Sequence, residues 1–376
     1  MKSLYVHVPF CDHICSYCDF CKVFYKEDWA NQYLEALSYE IKDKSIHDDY
    51  DTIYIGGGTP SSLSLKQLDT LFKMLEPLSI QVKEYSIEMN PESINEDKID
   101  LLIKYGINRV SIGVQTFHNS LLEKIGRYHT SQQAIECIKM LHAKGIEDIN
   151  VDLIYGLPSQ TIQDIDEDIA LINDLQISHL SIYSLILEEH TILKNQDYQP
   201  LDDEADAYWY EHINQKLKEI GFMHYEVSNY YRQKPSLHNL VYWHYQDYDG
   251  IGISAHSLKN HHRLENTNSL TQYINHHYLK EDVLLSREDE LFEKIMMGLR
   301  LVDGICIDEI NQQFDIDFLK QYQHTIEKYR TLKMLEIKNH YLRTTALGMN
   351  YLNTILVDFL DDEIWFSYLF FALMKS

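Results

Sequence analysis

The apolar residues between residues 4 and 227 follow two alternating patterns. Short runs in which apolar positions alternate or continue unbroken predict β-strands, and longer runs with apolar positions at helical spacing predict amphipathic helices. Strands that alternate with such helices indicate repeated βα units and a parallel sheet. The predicted strands cover residues 4–8, 52–55, 84–88, 109–114, 149–153, 179–185 and 223–227, and the predicted helices cover residues 26–44, 64–75, 96–105, 131–143, 162–175 and 205–219.

A run of six or more βα units, each of about thirty residues, is typical of a TIM-like barrel or part of one. Functional residues of such barrels lie at the carboxyl ends of the strands. Candidate residues here follow predicted strands: a cysteine-rich loop after residue 8, then Gly56–Thr59, Glu88, Gln115 and Asp152. The sequence therefore predicts one site at the carboxyl edge of the sheet.

The pattern changes from about Pro235. A segment rich in His, Tyr and Trp comes first, and helical spacing then covers residues 290–301, 307–314, 316–329 and 346–357, with one short strand predicted at 338–343. We predict a barrel core at 1–235, a connecting segment at 236–285, a small winged-helix-like α+β domain at 286–363 and an atypical apolar tail at 364–376. Gly250-x-Gly252-x-x-Ala255 matches a dinucleotide-binding pattern, but it does not open a helix within a βαβ unit, so we reject that interpretation.

Charge and cysteine usage narrow the class of protein. The formal net charge of −25 argues against binding to nucleic acid and against electrostatic docking on anionic lipid. Four of the six cysteines crowd into residues 11–21, which indicates a metal site in a reducing cytoplasm rather than a disulfide framework. We expect no signal peptide, because the sequence before the first predicted strand has no charged n-region followed by an apolar h-region. The apolar tail is too short to span a bilayer, so we expect no integral membrane protein, although peripheral contact through the tail stays open.

Cys11, Cys15 and Cys18 have the spacing C-x3-C-x2-C directly after the first strand. Thiolates at this density select iron–sulfur clusters, zinc or copper(I). A 4Fe–4S cluster has four irons, so three cysteines leave one iron open to a small chelating molecule. A structural zinc site with Cys21 or His13 as the fourth ligand is the alternative, because C-x2-C also occurs in zinc sites.

The cysteine spacing resembles that of radical S-adenosylmethionine (SAM) enzymes, in which the open iron holds SAM. The flanking Tyr5-Val-His-Val-Pro-Phe-Cys11 and Tyr17-Cys-Asp-Phe20 resemble the oxygen-independent coproporphyrinogen oxidase branch, and within it the HemW-type haem chaperones. The resemblance extends over nearly the whole chain apart from the tail. It implies an incomplete (β/α)6 barrel, open at one side, and a smaller C-terminal domain.

The resemblance also implies roles for individual residues. Cys11, Cys15 and Cys18 would be the cluster ligands. Three successive glycines exceed the needs of a turn, which favours contact between the Gly56–Thr59 loop and a ligand. Each residue that the resemblance assigns to SAM binding would, taken alone, also suit a surface or capping role. The joint occurrence of these residues in this order strengthens the interpretation as a SAM site. The positions implied for SAM are Tyr5, Tyr17, Gly57, Gly58, Thr59, Glu88, Gln115, Arg127 and Asp152.

His238-Asn239-x-x-Tyr242-Trp243 reproduces the H-N-x-x-Y-W signature that is associated with haem in these chaperones. Imidazole is a common axial ligand of haem iron, so His238 is the candidate ligand, on a loop exposed enough to release haem. The alternative is a loop in which His238 and Asn239 bind backbone groups. The resemblance implies haem delivery to haem-requiring proteins, such as respiratory enzymes, and an electron donor for the cluster.

Two other functions remain open at this stage. The first is oxidative decarboxylation of coproporphyrinogen III to protoporphyrinogen IX. Relatives with that activity carry a further cysteine in a C-x-C directly after the triad. Here Phe20 occupies that position and Cys21 follows it, which favours the chaperone. The second is a zinc-bound scaffold without redox chemistry.

Overall fold

A computed structural model describes residues 1–46, 49–189, 191–196 and 198–360. The predicted apolar tail, 364–376, and the last residues of the predicted C-terminal domain lie outside the described residues. The chain divides into two compact units. Among the described residues, the first comprises residues 1–223, 228–238 and 247–283, and the second comprises residues 224–227, 239–246 and 284–360.

The described strands are β1 (Ser3–Val8), β2 (Phe10–Cys11), β3 (Val23–Phe24), β4 (Thr52–Gly57), β5 (Glu84–Met89), β6 (Arg109–Gln115), β7 (Asp148–Tyr155), β8 (His179–Ser184), β9 (Met223–Glu226), β10 (Asn229–Tyr231), β11 (Asp249–Ile251), β12 (His256–Lys259), β13 (His262–Asn266), β14 (Leu279–Leu284), β15 (Ile305–Cys306), β16 (Leu335–Lys338) and β17 (Tyr341–Thr344).

The described α-helices are α1 (Glu27–Asp43), α2 (Leu65–Leu75), α3 (Glu96–Lys104), α4 (Asn119–Lys124), α5 (Ser131–Ala143), α6 (Ile162–Asp174), α7 (Ile192–Asn195), α8 (Asp203–Glu219), α9 (Leu237–Trp243), α10 (Leu270–Ile274), α11 (Arg287–Gly298), α12 (Ile307–Phe314), α13 (Phe318–Gln321), α14 (Gln323–Thr331), α15 (Ala346–Asn350) and α16 (Leu352–Val357).

The first unit is built on six parallel strands, β1 and β4 to β8, which lie side by side in that order. At one edge β1 also pairs in parallel with β11, and at the other edge β8 pairs in antiparallel with β10. Because β1 and β8 pair with other strands and not with each other, the ring of six stays open. The predicted partial (β/α)6 barrel is therefore confirmed.

The two faces of this sheet differ in polarity. Successive side chains of a strand point to opposite faces, and one set of alternate positions is apolar and packs with the helices, as Val6 and Ile55 do in the main core. The other set is largely polar and lines the inner face of the ring. On β1, β4 and β5 the inner positions are Ser3, Tyr5, His7, Thr52, Tyr54, Gly56, Glu84, Ser86 and Glu88.

Residues 247–283 belong to the first compact unit. Glu40 of α1 is fully buried there and binds Lys44 at 2.8 Å, the Gly252 N–H at 2.8 Å and the Asn266 amide at 2.6 Å. Gly252 has φ +97°, and a Cβ there would lie 2.5 Å from the carbonyl oxygen of His7. Gly252 therefore serves close packing against β1, whereas a Cβ on Gly250 would meet the backbone of His256 in β12.

The second unit combines helices α11 to α16 with a small antiparallel sheet of order β15-β17-β16. This agrees with the predicted α+β class of the C-terminal domain. The prediction of one strand at 338–343 is wrong, because β16 and β17 form a hairpin. Its turn is Asn339–His340, with φ of 52° and 66°, as a type I′ turn requires. The predicted helix at 316–329 is two helices, α13 and α14.

We expect Gly252→Ala to lower the free energy of unfolding by about 3 kcal/mol or more, because it combines left-handed backbone strain with overlap at the His7 carbonyl. Gly221→Ala is the matched control: Gly221 has φ +88° but nothing within 4 Å of the added Cβ. That variant should lose only about 1–2 kcal/mol. Urea denaturation of both proteins makes the comparison, and equal losses would contradict the packing argument.

Candidate functional site

Cys11, Cys15 and Cys18 lie at the start of and within the loop that joins β2 to β3, and all three are free thiols. Cys11 is buried, and the other two are partly exposed. The parallel pairing of β2 with β3, with Phe10 opposite Val23, closes the base of the loop. The triad is therefore held at the carboxyl end of β1, where the sequence predicted the site.

Two further contacts hold the loop in shape. The Lys22 ammonium donates to the backbone carbonyl of Cys18 at 2.5 Å and to that of Phe20 at 3.1 Å. The Ser16 N–H donates to the carbonyl of Ile125 at 3.1 Å. The loop thus has a defined conformation that depends on neighbouring segments as well as on its own residues.

The extra ligands of the zinc alternative make other contacts. The His13 ring stacks on Tyr128 at 3.6 Å between centroids, and Cys21 Sγ lies 4.0 Å from the carbonyl oxygen of Asn268. Within the described part of the chain, no three His, Cys, Asp or Glu side chains converge as ligands of a single metal ion. In a 4Fe–4S cluster each thiolate binds a different iron, so no such convergence is needed. The donor set fits a cluster better than a single zinc ion.

A hydrogen-bond network joins two of the three cysteines. Cys11 Sγ lies 3.5 Å from Thr59 Oγ1, and Thr59 Oγ1 accepts from Asn90 Nδ2 at 3.2 Å. Asn90 Oδ1 accepts from Arg127 Nη2 at 3.0 Å, and Arg127 Nη1 reaches Cys15 Sγ at 3.4 Å. Residues from four separate stretches of sequence therefore meet around this pair of thiols.

The glycine loop is tight because protein groups pack against it. Gly57 has φ +119°, and a Cβ there would lie 2.8 Å from the His7 ring. A Cβ on Gly58 would lie 2.7 Å from the backbone of Pro9. The glycines are thus required by the approach of β1, which is a different reason from the ligand contact that the sequence suggested. A larger residue at Gly57 would disturb His7 whether or not a ligand binds.

Glu88 holds the other side of this loop. Its carboxylate accepts from Tyr54 Oη at 2.8 Å and from the Gly57 N–H at 3.0 Å, and a Cβ on Gly56 would lie 2.9 Å from it. Burial raises the pKa of Glu88 to about 7, the nearby Asp152 carboxyl adds to the rise, and the two hydrogen bonds oppose it. Glu88 is therefore a structural support of the loop and a group that titrates near neutral pH.

Tyr5 acts together with His7. Tyr5 Oη lies 3.0 Å from His7 Nδ1, and His7 Nε2 lies 2.9 Å from the carbonyl oxygen of Cys21. A carbonyl only accepts, so Nε2 carries the hydrogen and Nδ1 accepts from the Tyr5 hydroxyl. Burial lowers the His7 pKa to about 4, which keeps the ring neutral. This chain of bonds fixes the end of the cysteine loop to β1.

The remaining predicted SAM positions also lie near the carboxyl ends of strands or beside the cysteine loop. Gln115 has φ +68° at an irregularity in the pairing of β6 with β7. Strained backbone of this kind is common at functional sites. Asp152 accepts from Ser111 at 3.1 Å, and burial raises its pKa. Burial raises the Tyr17 pKa, and the neighbouring Cys15 thiol contributes further.

His238, the predicted haem ligand, lies away from the cysteine loop and the carboxyl ends of the strands. It lies in α9, is 1% exposed, and its Nδ1 is 2.8 Å from Thr52 Oγ1. Its ring stacks on Tyr54 with 5.2 Å between the ring centroids, and its backbone N–H donates to the Glu84 carboxylate at 3.0 Å. Burial lowers the pKa of the His238 ring to about 3. Thr52 and Glu84 begin their strands, so His238 lies at the amino ends. The expectation of an exposed loop is wrong, because the motif is helical and its histidine is buried. Its role as a haem ligand stays a prediction.

Asn90, which links Thr59 to Arg127, was not among the residues predicted from the sequence. Its position directly after β5 and before Pro91 was the available signal, but nothing in the sequence indicates which two partners its amide bonds. Within the described residues, buried Ser16 Oγ and Arg127 Nε at the cysteine loop have no hydrogen-bond partner, whereas Glu92 Oε2 lies 3.6 Å from His129 Nδ1. Orphaned buried atoms are rare in native proteins. These two atoms were not predicted from the sequence, and they are available to a polar group bound beside the loop.

Residues 5–172 match the Radical SAM superfamily, and residues 285–351 match the HemN C-terminal domain. In structure the chain is similar to coproporphyrinogen III oxidase (HemN) from Escherichia coli, with a TM-score of 0.84 and 23% identity over 95% of this chain and 89% of that one. At this identity the likeness concerns the fold. The barrel and its cysteine loop are thus those of a radical SAM protein.

Curated relatives narrow the class further. The haem chaperone HemW of Lactococcus lactis is 36% identical over 97% of this chain and 99% of its own length. HemW of Bacillus subtilis is 36% identical over 81% of this chain and 85% of its own length, and HemW of E. coli is 31% identical over 96% and 98%. The chain belongs to the HemW family. None of the described helices is long and apolar enough to cross a membrane.

We expect a pH-dependent effect of Glu88→Gln. Below pH 4.5 the carboxyl is neutral in both states. Between 4.5 and about 7 the unfolded chain releases the proton and the folded chain keeps it. The wild-type free energy of unfolding should therefore fall by up to about 3 kcal/mol relative to the variant as pH rises through this range. Denaturation at pH 5 to 8 measures the difference, with the exposed Glu123→Gln as control. Parallel pH profiles of wild type and Glu88→Gln would contradict it.

Proposed function

We propose that this protein binds haem and delivers it to haem-requiring proteins. The observation that carries the proposal is the similarity to haem chaperones over almost the full length of both chains. The matched segments include both the barrel and the C-terminal domain. We further propose respiratory enzymes as acceptors, a separate electron donor and a cytoplasmic location.

In this proposal Cys11, Cys15 and Cys18 hold a 4Fe–4S cluster whose fourth iron binds SAM. Such a cluster, when bound, supplies a single electron to SAM or a stable binding platform for it. The protein's own contribution is to fix the loop through β2–β3 pairing and Lys22, and to place hydrogen-bond donors beside two of the thiols. These features support the ligand assignment, since second-sphere contacts orient ligands and tune the metal centre.

The proposed SAM site surrounds this loop. Tyr5 and Glu88 hold the inner wall through His7 and Gly57, and Arg127 brings a guanidinium to the side of Cys15. A guanidinium is suited to a carboxylate such as that of SAM. The full proposed set is Tyr5, Tyr17, Gly57, Gly58, Thr59, Glu88, Gln115, Arg127 and Asp152.

We expect serine at Cys11, Cys15 or Cys18 to abolish the oxygen-sensitive visible absorbance of anaerobically reconstituted protein, because each change removes one of three thiolate ligands. Cys21→Ser is the matched control and should keep iron and sulfide at wild-type amounts. Metal analysis accompanies the spectra. Loss of the cluster in Cys21→Ser would refute the ligand set, and zinc without iron in the wild type would refute the cluster.

The decisive test of function uses one reconstituted sample for two assays. We expect the wild type to bind haem, with a shifted Soret band, and to leave coproporphyrinogen III unchanged when SAM and a reductant are present. Protoporphyrinogen formation over many turnovers would refute the chaperone assignment and show that the protein is the oxidase. A protein that takes up a cluster but no haem would also refute the proposal.

The haem ligand can be tested in the same assay with two variants. If His238 ligates haem iron, its ring must leave Thr52 and Tyr54, so Thr52→Val should strengthen haem binding by removing a competing bond, while His238→Ala should weaken it at least tenfold. If the ligand lies elsewhere, neither change should alter the Soret band. His238→Ala would then reduce only stability, by about 1–3 kcal/mol for the lost hydrogen bond and ring contact.

A further inference from the structure

We propose that Asn90 is a positioning residue of the cluster: its amide directs a hydroxyl hydrogen at Cys11 and orients a guanidinium towards Cys15, and thereby raises the cluster's reduction potential. The inference rests on the proposed cluster site and concerns what sets its redox properties. Asn90 is partly exposed at the end of β5 and bonds Thr59 and Arg127 at 3.2 and 3.0 Å.

The direction of the network follows from the chemistry of its members. A guanidinium only donates, so the atom of Asn90 that faces Arg127 is the acceptor, Oδ1. The amide nitrogen must then face Thr59 and donate to its oxygen. The Thr59 hydroxyl therefore has its own hydrogen free for the sulfur 3.5 Å away. A cluster-bound Cys11 is a thiolate that can only accept, so both ends of the network donate to sulfur.

A reduced cluster carries one more negative charge than the oxidised form. Donors aimed at the ligand sulfurs stabilise that extra charge, and hydrogen bonds to sulfur are among the determinants of cluster potential. Arg127 supplies a positive charge to Cys15 at 3.4 Å, and Thr59 supplies a dipole to Cys11. The Asn90 amide bonds both donors, while Arg127 Nη2 also donates to the Gly113 carbonyl. Replacement of this amide should therefore affect the Thr59 donor most and the Arg127 donor less.

Asn90→Asp removes the Thr59 arm of the network and adds a negative charge beside Arg127. Aspartate matches asparagine in shape and keeps an acceptor for Arg127, but it cannot donate to Thr59. The Thr59 hydroxyl then turns to the carboxylate and is lost to Cys11. We expect a more negative midpoint in a potentiometric titration of the reconstituted cluster, followed by electron paramagnetic resonance of the reduced state. Thr59→Val, which removes the hydroxyl with little change in volume, should move the midpoint in the same direction.

Coupling separates this role from a general disturbance. In a Thr59→Val background the shift caused by Asn90→Asp should be smaller than in wild type, because part of its effect passes through the absent hydroxyl. Ser93→Ala is the control. Ser93 Oγ donates to the backbone carbonyl of Asn90 at 2.8 Å, so this change alters the same turn without touching the amide, and it should leave the midpoint in place.

The outcomes are distinguishable. Wild-type midpoints in both Asn90→Asp and Thr59→Val, or full additivity of their shifts, would overturn the inference and leave the cluster assignment standing. Should Asn90→Asp fail to retain a cluster, Thr59→Val decides alone, since it leaves Asn90 and Arg127 intact: an unchanged midpoint overturns the inference. Failure of the wild type to take up any cluster overturns both the inference and the proposed function.

Discussion

The close approach of the Gly56–Gly58 loop to the end of β1 is the constraint on which the rest of the site depends. Each of the three glycines lies where a Cβ would overlap a different neighbour: the Glu88 carboxylate, the His7 ring and the Pro9 backbone. Because the glycines have no Cβ to occupy this space, β1 and β4 stay paired up to Val8 and Gly57. The cysteine loop begins at Cys11, three residues after Val8, so this contact determines the position of the loop.

The polar inner face of the sheet explains why several of these neighbours are hydrogen-bonded to one another. Removing polar groups from water is unfavourable unless they find partners. Tyr5 bonds His7, Tyr54 bonds Glu88, and Glu88 bonds the glycine loop. Each bond satisfies a buried group and also fixes the orientation of a neighbour. A purely apolar lining would fill the ring, but it would offer no directional contact to a polar cofactor.

The order of strands and helices in the barrel could be predicted from the sequence, because the apolar periodicity of each βα unit is a local property that survives folding. The position of the cysteines could also be predicted, since they follow the first strand directly. The reason for Gly57 and Gly58 could not, because it depends on His7 and Pro9, some fifty residues earlier. The Asn339–His340 turn was missed because it carries no glycine, although both residues adopt positive φ.

His238 marks the limit of motif-based inference. Its signature suggested an exposed ligand, but the ring bonds Thr52 and stacks on Tyr54, and the backbone N–H of His238 donates to Glu84 at the amino ends of the strands. The cysteines lie at the carboxyl end, and β4 alone spans about 16 Å between Thr52 and Gly57. The stacked rings of Tyr5 and Tyr54 lie between these two levels. If His238 ligates haem, haem and the cluster with its SAM therefore approach the ring of six strands from opposite ends.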